Sequence, residues 1–162
     1  MKKVLLLSIV FITAVAAVNT SLIKFTSPGN FFTFMYPANW ELTKNGTDEF
    51  IFKDKSAELG ELTVKQQATN ELAESYEAYQ NRTLQRVIGA KVKQVGYQKY
   101  IEYEQHATKN GKEAIRYYWI TGNDKYVITT YYQVPFELRT KQEVLEEQKQ
   151  VFKVIESLKI EE

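Results

Sequence analysis

Three runs of residues, Tyr97–Thr108, Glu113–Thr121 and Lys125–Tyr132, constrain this chain more than any other feature of it. Asn110-Gly111 separates the first two, and Gly122-Asn123-Asp124 the second pair. Asn-Gly is the strongest short hairpin signal, because both central residues of a type I′ turn need positive φ. A two-residue turn there sets Lys109 opposite Lys112, Tyr103 opposite Tyr118 and Glu102 opposite Trp119, and this register sorts the side chains into two faces. One face carries Ile101, Tyr103, Ala107, Ala114, Tyr118, Ile120, Val127 and Tyr131. The other carries Tyr100, Ile115, Tyr117, Trp119, Tyr126, Ile128 and Tyr132. Both are largely apolar in the later strands, whereas a sheet with one wet side alternates cleanly between apolar and polar. Each face therefore needs a cover.

Two segments have the period to supply one. Leu72, Tyr76, Tyr79, Thr83 and Val87 recur at helical spacing within 71–88, with Asn70 as the expected cap and Gly89 at the left-handed exit position. Thr140-Lys141-Gln142-Glu143 reads as a capping box ahead of a stripe of Val144, Leu145, Val151, Phe152, Ile155 and Leu158. Before the first helix, short strands are expected around Leu22–Phe25, Phe31–Tyr36, Glu41–Thr43, Glu49–Lys53 and Glu61–Gln67, punctuated by Pro28-Gly29, Asn45-Gly46 and Gly60. The fold class is α+β, an antiparallel sheet flanked by two amphipathic helices in an α/β/α sandwich, built as a single domain over residues 22–160. The 11 Tyr and 9 Phe agree with a sheet-rich chain, since aromatic rings suit a pleated, half-buried surface.

The first residues carry a different message. Met1-Lys2-Lys3 is followed by an apolar run from Val4 to Val18, broken only by Ser8 and Thr13, and by small residues at Ala14-Val15-Ala16-Ala17. That is the layout of a secretory signal peptide over residues 1–17, cut after Ala16 or Ala17. The run is shorter than the ~20 apolar residues that span a bilayer as a helix. The mature chain is thus expected to be exported, periplasmic or extracellular, and free of the membrane after cleavage. Removing the peptide takes Lys2 and Lys3 from the 21 Lys and Arg and leaves the 20 Asp and Glu, so the mature charge is about −1 and offers no pull toward nucleic acid. The absence of cysteine in an oxidising compartment means a core held without disulfides.

The inventory of chemistry is short. His106 is the sole histidine and there is no thiol, which excludes a Cys/His zinc site and a cysteine nucleophile. No Gly-x-Ser-x-Gly elbow presents a serine, and no glycine-rich loop cradles a phosphate. Glu102 and Glu104 are neighbours on one strand and cannot flank a scissile glycosidic bond. Arg82, Arg86, Lys91 and Lys93 read as a wet face. No catalytic residue and no cofactor is assigned. Glu102, Glu104 and His106 alternate onto one strand face and form the alternative, a divalent-metal site; the simpler reading is a solvated edge.

The run Phe32-Thr33-Phe34-Met35-Tyr36-Pro37-Ala38-Asn39-Trp40 and the close Val154-Ile155-Glu156-Ser157-Leu158-Lys159-Ile160 resemble the opening and terminal signatures of the PsbP-like superfamily. In that group an aromatic strand leads into Tyr-Pro-x-x-Trp, and the last helix ends in a Ser-Leu or Ser-Phe-Lys run. The group includes exported bacterial proteins of the DcrB type, a photosystem II subunit, a nuclear import factor and chaperone-like adaptors. What the resemblance implies is a scaffold and a habit of binding partners, with no catalytic residue carried over. The expectation is a non-enzymatic accessory protein of the cell envelope that binds a protein partner through the sheet face and the 133–139 loop. Tyr100, Tyr117, Trp119, Tyr126 and Tyr132 are the expected contact residues, because tyrosine offers rigid amphipathic area. The alternative within the same class is an adaptor or immunity-type protein for one exported effector.

Overall fold

The computed structural model describes residues 21–57 and 59–161; the expected signal peptide lies outside them. Ten strands and three α-helices follow in the order β1 (Leu22–Thr26), β2 (Phe32–Pro37), β3 (Trp40–Asn45), β4 (Glu49–Asp54), β5 (Glu61–Ala68), α1 (Thr69–Leu72), α2 (Tyr76–Arg86), β6 (Lys91–Val95), β7 (Gln98–Lys109), β8 (Lys112–Gly122), β9 (Tyr126–Pro135), α3 (Gln142–Ser157) and β10 (Lys159–Ile160). All pairings are antiparallel. Seven strands form one sheet in the order β3-β4-β5-β9-β8-β7-β6, and three form a second in the order β1-β2-β10.

The hairpin expected at Asn110-Gly111 is present, with φ of 51° and 77° at the two residues. Lys109 pairs with Lys112, Tyr103 with Tyr118 and Glu102 with Trp119, so the two faces of the large sheet divide as the register requires. On one of them Trp40, Phe50, Phe52, Leu62, Val64, Tyr100, Ile128, Tyr132 and Val134 are buried beneath Val144, Val151, Val154 and Ile155 of α3 and beneath Phe25, Phe32 and Phe34 of the small sheet. The phenylalanines interlock: Phe25 lies 4.9 Å from both Phe34 and Phe50, and Phe34 lies 5.3 Å from Phe52. Ser157 ties the layers, its hydroxyl accepting from the Met35 amide at 2.9 Å. We call this the closed face.

On the other face, Ile101, Ile120 and Val127 are buried against Leu72, Tyr76, Tyr79 and Leu84. The sandwich is therefore uneven. A second sheet shares the closed face with α3, while α2 covers only the end of the other face.

Several boundaries differ from those the sequence suggests, each for a local reason. The helix expected over 71–88 is two helices, because Ala73 adopts the left-handed conformation at φ 54° and ends α1. Ser75, and not Asn70, caps α2 by accepting from the Ala78 amide at 3.2 Å. The capping box at Thr140 does not form: α3 starts at Gln142, and Lys141 precedes it with no side-chain cap. Leu145 is exposed, while Val154, absent from the expected stripe, is buried. The chain after α3 turns into β10 instead of continuing as helix. The strand β6, unexpected from the sequence, borders the large sheet.

Ser75→Ala is expected to cost about 1 kcal/mol, the usual worth of a helix N-cap, and Asn70→Ala to be near neutral. Urea unfolding of the two variants checks the cap; a larger loss at Asn70 would restore the single long helix.

Candidate functional site

Of the residues expected to make contacts, Tyr100 and Tyr132 are completely buried and Trp119 is 9% exposed. Tyr117 and Tyr126 are half-buried, Tyr126 packing on Phe31 at 4.0 Å between ring centroids. All five belong to the closed face. The Tyr100 hydroxyl donates to the Ile155 carbonyl at 2.9 Å and the Tyr132 hydroxyl to Glu147 Oε2 at 2.7 Å. These two polar ends are spent inside the molecule, so Tyr100 and Tyr132 present no contact surface, whereas Tyr117 and Trp119 line a groove at the edge of the face. The 133–139 segment is likewise only partly a loop. Gln133 and Val134 are buried residues of β9, and a 3-10 turn at Phe136–Leu138 leads into Arg139, stacked 3.6 Å above the Phe136 ring centroid.

The alternative metal face does not assemble. Glu102 is engaged by Lys93 at 3.2 Å and Lys91 at 3.6 Å, Glu104 is exposed, and exposed His106 packs against Phe136 at 5.0 Å. Among the described residues no three His, Asp or Glu side chains converge as a metal site. Lys91, Lys93 and Glu102, with Trp119 and Phe152, line a groove of 460 Å³ at the edge of the closed face.

A richer surface lies on the opposite, open face, beyond the reach of α2. The register puts two rows of side chains side by side across four strands. Thr63, Tyr131, Tyr118 and Tyr103 form one row, and Glu61, Gln133, Arg116 and Gln105 the next. Tyr103 and Tyr118 stack at 4.6 Å and 15°, and Tyr118 meets Tyr131 at 5.4 Å. Burial, with the neighbouring Tyr118 and Tyr79, pushes the Tyr103 phenol well above its usual value. Arg116 sits among these rings. Its guanidinium carbon lies 4.9 Å from the Tyr131 ring centroid, Nε donates to Gln133 Oε1 at 2.5 Å, and Nη1 donates to the Tyr118 hydroxyl at 3.4 Å.

Two carboxylates of this face are already engaged. Glu49 pairs with Lys65, and Glu61 with Lys109 at 2.6 Å and Lys53 at 3.2 Å. Burial works against the Glu61 charge, but the two lysines outweigh it and hold its carboxyl below the usual range. Glu61, Lys53, Lys109, Lys112 and Gln133 continue the row into a cleft of 520 Å³ at the hairpin end. The strand alternation already grouped Tyr103, Tyr118 and Tyr131 on one side. What it lacked was the length of helix covering them.

One buried acid deserved a signal of its own. Glu147, only 6% exposed, lies on the inward stripe of α3, three residues after Val144 and four before Val151. A charged residue at a core position of an amphipathic helix is the sequence cue for it. Burial raises its pKa and the nearby Asp54 charge adds to that, while the Tyr132 hydroxyl and Gly60 amide offset part. Gly60 is held close by: a Cβ there would come within 2.4 Å of the Tyr132 ring.

The scaffold is β-rich, with an aromatic strand ending at Pro37 and Trp40 anchored 3% exposed in the core. The chain belongs to the family described as "Domain of unknown function (DUF3805)", whose model matches residues 20–162. A crystal structure from Bacteroides thetaiotaomicron superposes with a TM-score of 0.69 at 19% identity, over 86% of this chain and 48% of that one. This chain therefore spans about half the length of that relative. The Ran-binding protein Mog1p of Saccharomyces cerevisiae gives a TM-score of 0.50 at 9% identity, over 87% and 96% of the two chains. Cyanobacterial PsbP from Synechocystis gives 0.43 at 12%, over 90% and 96%. At such identities the likeness concerns the fold alone. No curated protein is detectably similar in sequence.

The sign of the Glu147 effect follows from its raised value. An acid whose native pKa lies above the 4.5 of the unfolded chain contributes stability below 4.5 and loses it as pH rises through the native value. A tenfold change in its ionisation constant corresponds to about 1.4 kcal/mol. Glu147→Gln keeps an acceptor for Tyr132 without the charge. The stability of the wild type relative to this variant is expected to fall from acid to neutral pH, as read from urea midpoints. A flat difference would show that Glu147 ionises freely.

Proposed function

We propose that this protein is an exported, non-enzymatic accessory protein whose work is to bind a protein partner through the open face of its large sheet. One observation carries the reading: Tyr118, Tyr131 and Arg116 lie in adjacent rows on a rigid sheet past the end of α2, with Tyr103 stacked on Tyr118 at the helix's border. Tyr and Arg are the residues enriched at binding hot spots, and tyrosine adds area at low conformational cost. The contact region is thus moved from the rings of the closed face to Tyr103, Tyr118 and Tyr131.

Export rests on the charge, apolar run and small-residue exit of residues 1–17. Among the described residues no helix is long and apolar enough to cross a membrane. The non-enzymatic reading rests on a sequence with one imidazole and no thiol. Mog1p, a Ran-binding protein, illustrates this scaffold serving protein recognition, although a fold transfers no partner. An adaptor or immunity role for a single effector is the narrower version of the same proposal.

The mature chain should begin at Ala17 or Val18, as read from its N-terminal mass; a chain starting at Met1 would end the cleavage reading. A photo-crosslinking residue in place of Tyr118 should trap a discrete protein in the native envelope, whereas one at Tyr97, 74% exposed at another edge, should not. Tyr131→Ala is expected to weaken that capture by about tenfold or more with the melting temperature little changed. Equal trapping at Tyr97 and Tyr118 would defeat the assignment of the face.

A further inference from the structure

The open face holds an arginine whose own surroundings leave it unfinished. Across the Arg116 row, Gln133 stands between Arg116 and Glu61. Two strand spacings put their backbones about 10 Å apart. Glu61 is in any case occupied by Lys53 and Lys109, and Glu49 by Lys65. Among the described residues no carboxylate comes within ion-pair distance of Arg116. Its partners are neutral: an amide oxygen, a phenol hydroxyl and an aromatic ring.

A guanidinium has five N–H donors in a planar fork. The Nε bond to Gln133, itself 3% exposed, and the ring of Tyr131 fix the plane of this one. That leaves the second Nη1 hydrogen and both Nη2 hydrogens for an incoming group. A carboxylate suits such a fork through two parallel bonds. Because the side chain is already held, little rotamer freedom remains to be lost on binding. Along the same strip stand Lys53, Lys65, Lys109 and Lys112, so cations outnumber the acids Glu41, Glu49 and Glu61.

Building on the binding face proposed above, we infer that the partner presents an acidic segment, and that one of its carboxylates is received by Arg116 within the Tyr118, Tyr131 and Gln133 box. The stacked tyrosines bracket the carboxylate and take the apolar stems of its neighbours. A nucleic acid fits less well, since three of the lysines are spent on Glu49 and Glu61 and few free cations remain to follow a phosphate chain.

The test is a titration of the purified protein with a capped hexaglutamate peptide, against capped hexaglutamine and an oligothymidylate, followed by arginine side-chain and tyrosine ring NMR signals. Hexaglutamate should move Arg116 Nε–H and the Tyr118 and Tyr131 rings, weaken with added salt, and bind tighter than either control. Arg116→Gln should reduce its affinity about tenfold or more. Arg116→Lys, which keeps charge and stem but loses the fork, should fall between, while Arg139→Gln should match the wild type. Equal binding of hexaglutamine, shifts that map elsewhere, an unchanged Arg116→Gln or Arg116→Lys, or tighter binding of the oligonucleotide would each overturn the inference. Trapping at Tyr118 that persists in Arg116→Gln would remove the acidic anchor while leaving the binding face intact. Loss of trapping from the wild type would remove both.

Discussion

Burial of the phenylalanine-rich closed face is the interaction on which the rest of the molecule depends. Phe25, Phe32, Phe34, Phe50 and Phe52 are each no more than 6% exposed and come from three strands in two different sheets. Each such ring removes roughly 150–250 Å² from water, at about 25 cal/mol per Å². No helix alone could cover seven strands, so the small sheet is drawn against the large one beside α3. The chain ends are pulled into this closure: β10 follows directly on α3 to pair with β2, and Ser157 bonds the Met35 amide across the same seam.

That closure sets up the asymmetry of the sheet. With α3 and the small sheet both on one side, only α1 and the eleven residues of α2 remain for the other, and they pack over Ile101, Ile120 and Val127 and reach the border of Tyr103. Tyr118 and Tyr131, and then Arg116 in the next row, lie beyond them. The surface is thus a geometrical remainder of the core, rigid because its strands are clamped from behind. Rigid aromatic area of that kind loses little conformational entropy when covered, which is what the proposed binding role requires of it.

The sequence and the structure agree where local chemistry decides the outcome. Asn110-Gly111 dictates its turn, the turn dictates the register, and the register sorts every residue of β7, β8 and β9 to the correct side. Pro37 and Trp40 likewise act as their types suggest, one closing β2 and the other filling the core. Agreement fails where an outcome depends on what packs over a residue. Tyr100 and Tyr103 have the same alternation and much the same composition around them, yet one lies beneath α3 and the other beside the end of α2. The break at Ala73 divides the expected helix in two, and no propensity rule singles out that alanine. Glu147 was missed because an acid on an apolar stripe looks like a boundary residue until its phenolic partner on β9 is in view.

Strand β9 joins these two halves of the molecule. Three consecutive residues alternate sides: Tyr131 packs outward against Tyr118, Tyr132 points inward to Glu147, and Gln133 turns outward again to hold Arg116. Because a strand alternates with a period of two, none of these can shift along the strand without sending all three to the wrong face. The buried pair and the outer arginine are therefore set by one register, and the same register positions Gly60 against Tyr132 at the mouth of the cleft. An inward polar pair costs burial energy that an apolar pair would not. Its return is positional: it fixes the height of β9 against α3, and with it the outward ring and the amide that orient Arg116.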